Sequence, residues 1–259
     1  MHETINKVAQ VTLAFWIMKI CATTLGETGG DLLSMTLSVG YAMSTAVFFG
    51  AFLATLIVQV ASRSYHPLRY WAVIISTTMA GTTLSDYLDR TAGLGYVGGS
   101  LVLVGILMAI LTAWRLSLGS VSVSKIDNPK AEMFYWVTIL FSNTLGTALG
   151  DFLADDTGLS LGYEGGALVI MGALAVIASG RLFAVSRTLL FWLAFILTRP
   201  LGATLGDILT KTHEQGGLDL GTIGSSAVLA AFLIGCILLL IPILTMTDRR
   251  KPSRGVRWT

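Results

Sequence analysis

The sequence predicts an all-α integral membrane protein of about eight transmembrane helices, built as four parallel two-helix hairpin repeats in two tandem four-helix halves. Three observations predict it. Only 12% of the 259 residues are charged while 54% are hydrophobic, against about 25% charged in an ordinary soluble domain. Eight apolar stretches have membrane length. An aspartate recurs four times in one local setting.

The apolar stretches run over 8–30, 40–62, 68–88, 94–116, 132–153, 163–184, 187–209 and 221–245. Each supplies the roughly 20 residues that cross about 30 Å of hydrocarbon. The first has Lys19 in its middle and no small-residue cleavage site after a clean apolar core, so it reads as a retained helix and not a signal peptide. The 28 glycines suit close helix packing in a bilayer. Cys21 and Cys236 lie in apolar runs and read as packing residues. His2, His66 and His213 fall near predicted ends or loops, which argues against heme or a buried histidine metal centre.

Charge sets the expected orientation. Arg63, His66, Arg69, Arg115, Lys125, Lys130, Arg181 and Arg187 fall on one set of connections, and the tail adds Arg249, Arg250, Lys251, Arg254 and Arg257. The opposite set holds Asp89, Asp155, Asp156, Glu164, Glu214 and Asp219, with only Arg90 and Lys211 against them. The positive-inside rule then places both termini in the cytoplasm. The chain reads as one transmembrane domain, 1–259. Its first half is 1–118, a cytoplasmic connector follows over 119–131, the second half is 132–247, and 248–259 is a basic cytoplasmic tail.

The repeat emerges when Asp31, Asp86, Asp151 and Asp207 are aligned. Fifteen residues before them stand Trp16, Trp71, Trp136 and Trp192; five before, Gly26, Gly81, Gly146 and Gly202; two after, Leu33, Leu88, Leu153 and Leu209. The spacings of 55, 65 and 56 residues indicate a hairpin doubled and doubled again, the extra length falling in the connector. Two crossings per unit make the repeats parallel and not inverted.

Each motif reads small-x-x-x-small followed by aspartate, as in Gly146-Thr-Ala-Leu-Gly-Asp151. Its glycines read first as packing surfaces that bring helices together. The tryptophans follow Arg69, Glu132 and Arg187 closely and read as inner-interface residues. Fifteen residues at 1.5 Å each put the aspartates about 22 Å further along, within the outer leaflet. A carboxylate there is by default a functional residue.

Two readings of the aspartates stand side by side. They are helix caps at the outer interface, accepting backbone N–H bonds, or they are cation ligands. Because Ser, Thr and Asn cap as well as Asp, four aspartates in four copies favour a need for charge. A polar tier of Thr23, Thr78, Asn143 and Arg199 lies eight residues earlier, with Thr82 and Thr147 nearby. Carboxylates among hydroxyl and carbonyl oxygens suit Mg, Ca or Mn over zinc or copper. For any single threonine a bond back to its own helix is the blander reading. The first copy adds Glu27 and Lys19, and the fourth carries Arg199 beside Pro200, which frees a backbone carbonyl. Five carboxylates against Lys19 and Arg199 leave a formal excess of three negative charges, to be balanced by a cation or protons. Gly40-Tyr41, Gly95-Tyr96 and Gly162-Tyr163 read as turns plus interfacial belt and not as part of a site.

The Trp-x14-Asp and Gly-Thr-x-x-Gly-Asp pattern, with Thr198-Arg199-Pro200-Leu-Gly-Ala in the last copy, resembles a family of bacterial inner-membrane proteins known as uncharacterised membrane-anchored proteins. The resemblance runs from Val11 to about Thr245. It implies an eight-helix fold in the bacterial inner membrane and brings no activity with it. A looser likeness connects the chain to cation exporters with repeated acidic Gly-Asp motifs, whose Glu-x-Gly-Asp-Lys/Arg pattern is missing here.

The leading expectation is a secondary transporter of a small cation such as Mn or Mg, coupled to protons. Asp31, Asp86, Asp151, Asp207 and Glu27 are its ligands, and Thr23, Thr78, Thr82, Asn143, Thr147, Arg199 and Lys19 its polar support. The alternative is a non-transporting structural or assembly protein whose aspartates are caps. The expected partners are the lipid bilayer and a small cation or protons. No resident cofactor, nucleic acid or catalytic nucleophile is expected.

Overall fold

A computed structural model describes residues 7–62, 64–123, 126, 128–154, 159–183 and 185–250; the side chains of Arg181 and of residues 243–250 fall outside it. Arg63, Lys125, Asp155, Asp156 and the basic tail from Lys251 onward, all used in the orientation argument, lie outside the described residues.

Eight long helices follow one another: α1 (Leu13–Asp31), α2 (Tyr41–Ala61), α3 (Pro67–Asp86), α4 (Gly95–Leu118), α5 (Pro129–Ala154), α6 (Gly162–Ser179), α7 (Arg187–Thr210) and α8 (Thr222–Arg250). No strand occurs among the described residues. Thr12 caps α1 by accepting from the Phe15 amide at 3.2 Å, and Pro67 starts α3 where its missing N–H costs nothing. Gly40, Gly95, Gly162 and Gly221 all have positive φ at the entrances to α2, α4, α6 and α8, a backbone state that glycine takes without strain.

Six helices, α2, α4, α5, α6, α7 and the Thr222–Pro242 part of α8, are long and apolar enough to cross a membrane. That marks a multi-pass membrane protein. Eight such segments were expected, and α1 and α3 fall short. Hydropathy reports what a helix shows to lipid, and most of α1 and α3 is buried, with threonine, glycine and charge among the buried residues.

The four odd helices form a closed inner ring, α1 against α3, α3 against α5, α5 against α7, and α7 back against α1. The even helices lie outside. Their apolar windows are only 17–28% buried, against 61% for α7 and 72% for α5. Each outer helix packs mainly on the inner helix of the next repeat: α2 on α3, α4 on α5, α6 on α7, and α8 on α1. Leu103 and Leu107 of α4 join Leu145 and Ala148 of α5, and Ala167 and Ile170 of α6 meet Leu201 of α7. The Ser226 hydroxyl donates to Thr28 at 2.8 Å, closing the circle from the last helix to the first.

The motif glycines make the ring possible. Gly26 lies against Thr78, Gly81 against Asn143, Gly146 against Arg199, and Gly202 against Thr23. In every case the glycine five residues before one aspartate receives the residue eight before the next. The small position directly before the aspartate repeats the contact at Gly30 with Thr82, Gly150 with Ala203, and Gly206 with Glu27. A Cβ at Gly81 would stand 2.9 Å from the Cβ of Asn143 and 3.0 Å from its carbonyl carbon, so these positions fix the helix spacing.

Candidate cation site

Four-residue steps along each inner helix bring successive side chains to one face, about 6 Å apart along the axis. The four-way alignment thus converts into tiers. Starting furthest from the aspartates, the first tier is Phe15, Tyr70, Tyr135 and Phe191, all aromatic. Next come Lys19, Ile74, Ile139 and Phe195, then Thr23, Thr78, Asn143 and Arg199, then Glu27, Thr82, Thr147 and Ala203, and finally the four aspartates.

The aromatic end is solid. Tyr70 and Tyr135 share a hydroxyl hydrogen bond of 2.6 Å, and edge-to-face contacts join Tyr70 with Trp71, Tyr135 with Trp136, and Phe191 with Trp192. Trp71 and Trp136 are no more than 1% exposed, and Trp192 donates to the Val121 carbonyl at 2.9 Å. These tryptophans were expected to face the lipid interface. They instead pack in the seams between inner helices, where Trp71 meets Phe15, Trp136 meets Tyr70 and Trp192 meets Tyr135 of the preceding copy.

Lys19 and Arg199 occupy the middle tiers, both fully buried. Lys19 Nζ lies 3.4 Å from Asn143 Oδ1 and 4.3 Å from the Phe195 ring centroid. Asn143 in turn donates to Thr77 at 3.2 Å. Arg199 projects from α7 to the three other inner helices. Its Nη2 donates to Glu27 Oε2 at 3.0 Å, to Thr147 Oγ1 at 2.7 Å and to Thr82 Oγ1, and its Nη1 reaches the Thr23 carbonyl at 3.4 Å. Thr23 and Thr78 bond back to their own helices and also across the ring, to the Thr198 and Ala22 carbonyls at 3.2 Å each.

The aspartates are 3–6% exposed and divide into two pairs. Lys211 Nζ stands 2.8 Å from Asp31 Oδ2 and 3.2 Å from Asp207 Oδ1. Arg90 bridges Asp86 and Asp151 at 3.3 Å each and donates to the Tyr41 hydroxyl at 3.2 Å. Its guanidinium carbon lies 5.9 Å from both the Tyr41 and Tyr96 ring centroids, within cation–π range. Tyr41 and Tyr96, read from sequence as belt residues outside any site, therefore belong to it. Asp31 and Asp86 keep right-handed helical backbone angles and make no side-chain cap bond, while Asp151 and Asp207 lie within α5 and α7. Capping does not describe Asp31 or Asp86.

Glu27, Asp31 and Asp207 each place one oxygen within 4.8 Å of the others, all three buried. Three hard oxygens at that separation suit a divalent cation of the Mg or Mn type, which keeps part of its water shell. Asp86 and Asp151 are outside this trio, on the Arg90 side of the ring. Arg90 and Lys211 went unrecognised in the sequence because they were counted as loop charges. The available signal was spacing, since each stands four residues after an aspartate, the separation at which helical ion pairs meet. With them, the five carboxylates face four cations, so the formal excess is one negative charge and not three.

A sequence family described as "Repeat of Unknown Function (DUF347)" matches four times, over residues 14–65, 69–119, 134–185 and 190–241. The chain belongs to this repeat family. Each DUF347 repeat contains one inner helix followed by one outer helix, and the unmatched stretch between the second and third repeats holds the connector. No curated protein and no solved structure matches the chain.

Proposed function

We propose that this DUF347 protein is a secondary transporter of a small cation in the bacterial inner membrane, exchanging a divalent metal such as Mn or Mg for protons. The observation that carries the reading is the buried Glu27–Asp31–Asp207 trio. Lys211 stands between Asp31 and Asp207 as a tethered cation and keeps a 17% exposed side chain. With Lys211 swung aside, three carboxylates and Arg199 leave two negative charges, which one divalent cation balances. Asp86, Asp151 and Arg90 form the second half of the acidic tier and hold the ring's outer mouth.

In this reading all eight helices span the bilayer, with α1 and α3 shielded by the outer helices and both termini in the cytoplasm. The aromatic tier then closes the cytoplasmic end of the axis, and the acidic tier faces the periplasm. Because the repeats are parallel, the two access states cannot arise by exchanging inverted halves. Movement of Arg199 and of the tier below it is the step that would pass the cation inward.

The test is metal flux in proteoliposomes, with Mn or Mg on one side and a pH gradient across the membrane. Transport that is lost in Asp207→Asn, with the variant still inserted, supports the reading. Equal flux in wild type and empty vesicles removes it. A second reading has its own observation: every aspartate of the tier already faces a protein cation. A non-transporting structural protein would use these ion pairs to fasten repeats together, and would bind no metal.

A further inference from the structure

A cavity of about 560 Å³ lies at the opposite end of the molecule from the acids, between the end of α4, the start of the connector and the start of α7. That volume is in the range of small-molecule sites. Leu111, Leu116, Val121, Leu189 and Trp192 supply its apolar wall, and Thr112, Arg115, Ser120, Ser186 and Thr188 its polar part. Among the described lining residues Arg115 is the one that carries charge, and its exposed side chain has no hydrogen-bond or ion-pair partner among the described residues. Ser186 precedes the 24-residue α7 and makes no side-chain cap bond, so the first-turn amides of α7 lack a side-chain acceptor. Leu116 and Leu189 at the rim are 81% and 52% exposed, which continues the apolar wall onto the exposed apolar side chains of α4 and α7.

We propose that this cavity binds one anionic phospholipid. Its phosphate is held by Arg115, Ser186, Thr188 and the amides that open α7, and its acyl chains leave between Leu116 and Leu189. Each part of the ligand meets its complement. An anion at a helix N-terminus gains from the exposed N–H groups and the positive end of the dipole, and an arginine beside them holds phosphate oxygens with charge-assisted bonds. The depth is also right, because the cavity is level with Arg69 and Arg187 at the end assigned to the cytoplasm, where anionic headgroups attract basic residues. A soluble anion would gain nothing from the leucine wall, and a zwitterionic lipid would bring its own cation toward Arg115. The site is independent of whether the acidic tier transports a metal.

The experiment is native mass spectrometry of the full chain released from mixed phosphatidylglycerol and phosphatidylcholine nanodiscs. One retained phosphatidylglycerol, favoured at least about fivefold over phosphatidylcholine, is expected. Arg115→Gln should remove that preference while the protein melts as wild type does. Arg69→Gln, altered at the same end but outside the cavity lining, should keep it. Equal retention of both lipids, an unchanged preference in Arg115→Gln, or an equal loss in Arg69→Gln overturns the proposal. So does full displacement of the lipid by low-millimolar inorganic phosphate, which would make this a site for the free anion.

Discussion

Lys211 Nζ donates to Asp31 Oδ2 at 2.8 Å across 180 residues of sequence, and the same ammonium stands 3.2 Å from Asp207. This contact ties the fourth repeat to the first, at the mouth of the ring where the acids lie. It also places a protein cation where the proposed cargo would sit. In the proposed reading, cargo and lysine compete for the same two carboxylates.

Lys211→Met should strengthen Mn binding by about tenfold, equivalent to about 1.4 kcal/mol. It removes the competitor while leaving all three oxygens in place. Titration calorimetry on the purified variant checks it. Unchanged or weaker binding would show that the lysine does not occupy the cation's position.

Arg199→Met should be among the most damaging single changes, at about 3–5 kcal/mol, because it leaves Glu27 buried and unpaired. The paired change Arg199→Met with Glu27→Gln should recover much of that loss, since no unmatched charge remains. Thermal unfolding in detergent of the two singles and the double gives the coupling directly. Additive losses would mean that the 3.0 Å contact carries little energy.

The ring geometry makes a prediction that is blind to function. Gly81→Ala puts a methyl group against the Asn143 backbone, a misfit that costs about 1–3 kcal/mol. Gly50 of α2 has nothing within 4 Å of an added Cβ. Alanine there should be neutral or stabilising by about 0.5–1 kcal/mol. A matched pair of melting curves checks the contrast, and equal effects would argue against a close-packed inner ring.

The two aspartate pairs should separate by phenotype. Asp151→Asn weakens the bridge to the half-exposed Arg90 and is expected to lower stability by about 1 kcal/mol or less, as a partly solvated pair does. Its metal affinity should stay within about threefold of wild type by calorimetry. A loss of binding equal to that of Asp207→Asn would instead restore a single four-aspartate site.

Much of this architecture was legible in the sequence, because repetition supplies its own controls. The positions of Asp31, Asp86, Asp151 and Asp207, and the packing role of Gly26, Gly81, Gly146 and Gly202, follow from alignment alone. What was not legible depended on direction. A tryptophan near a charge is equally at home in an interfacial belt or a packed floor, and only the neighbouring Phe15, Tyr70, Tyr135 and Phe191 tier distinguishes the two. Arg90 and Lys211 were read as loop charges, although each is one helical turn past an aspartate. No local signal tells α2 to pack on α3 instead of α1, since that choice is made by closure of the whole ring. The hydropathy of α1 and α3 was overrated for a related reason: a helix buried among other helices can carry threonine, and it can carry charge where a neighbouring helix supplies the partner, as Arg199 does for Glu27.

The most direct measurement is a calorimetric titration of Mn into the purified protein, repeated for Asp207→Asn and Asp86→Asn. One bound Mn per chain in wild type and in Asp86→Asn, with binding abolished in Asp207→Asn, is the expected result. No binding by the wild-type protein, or undiminished binding by Asp207→Asn, would contradict a cation site at Glu27, Asp31 and Asp207.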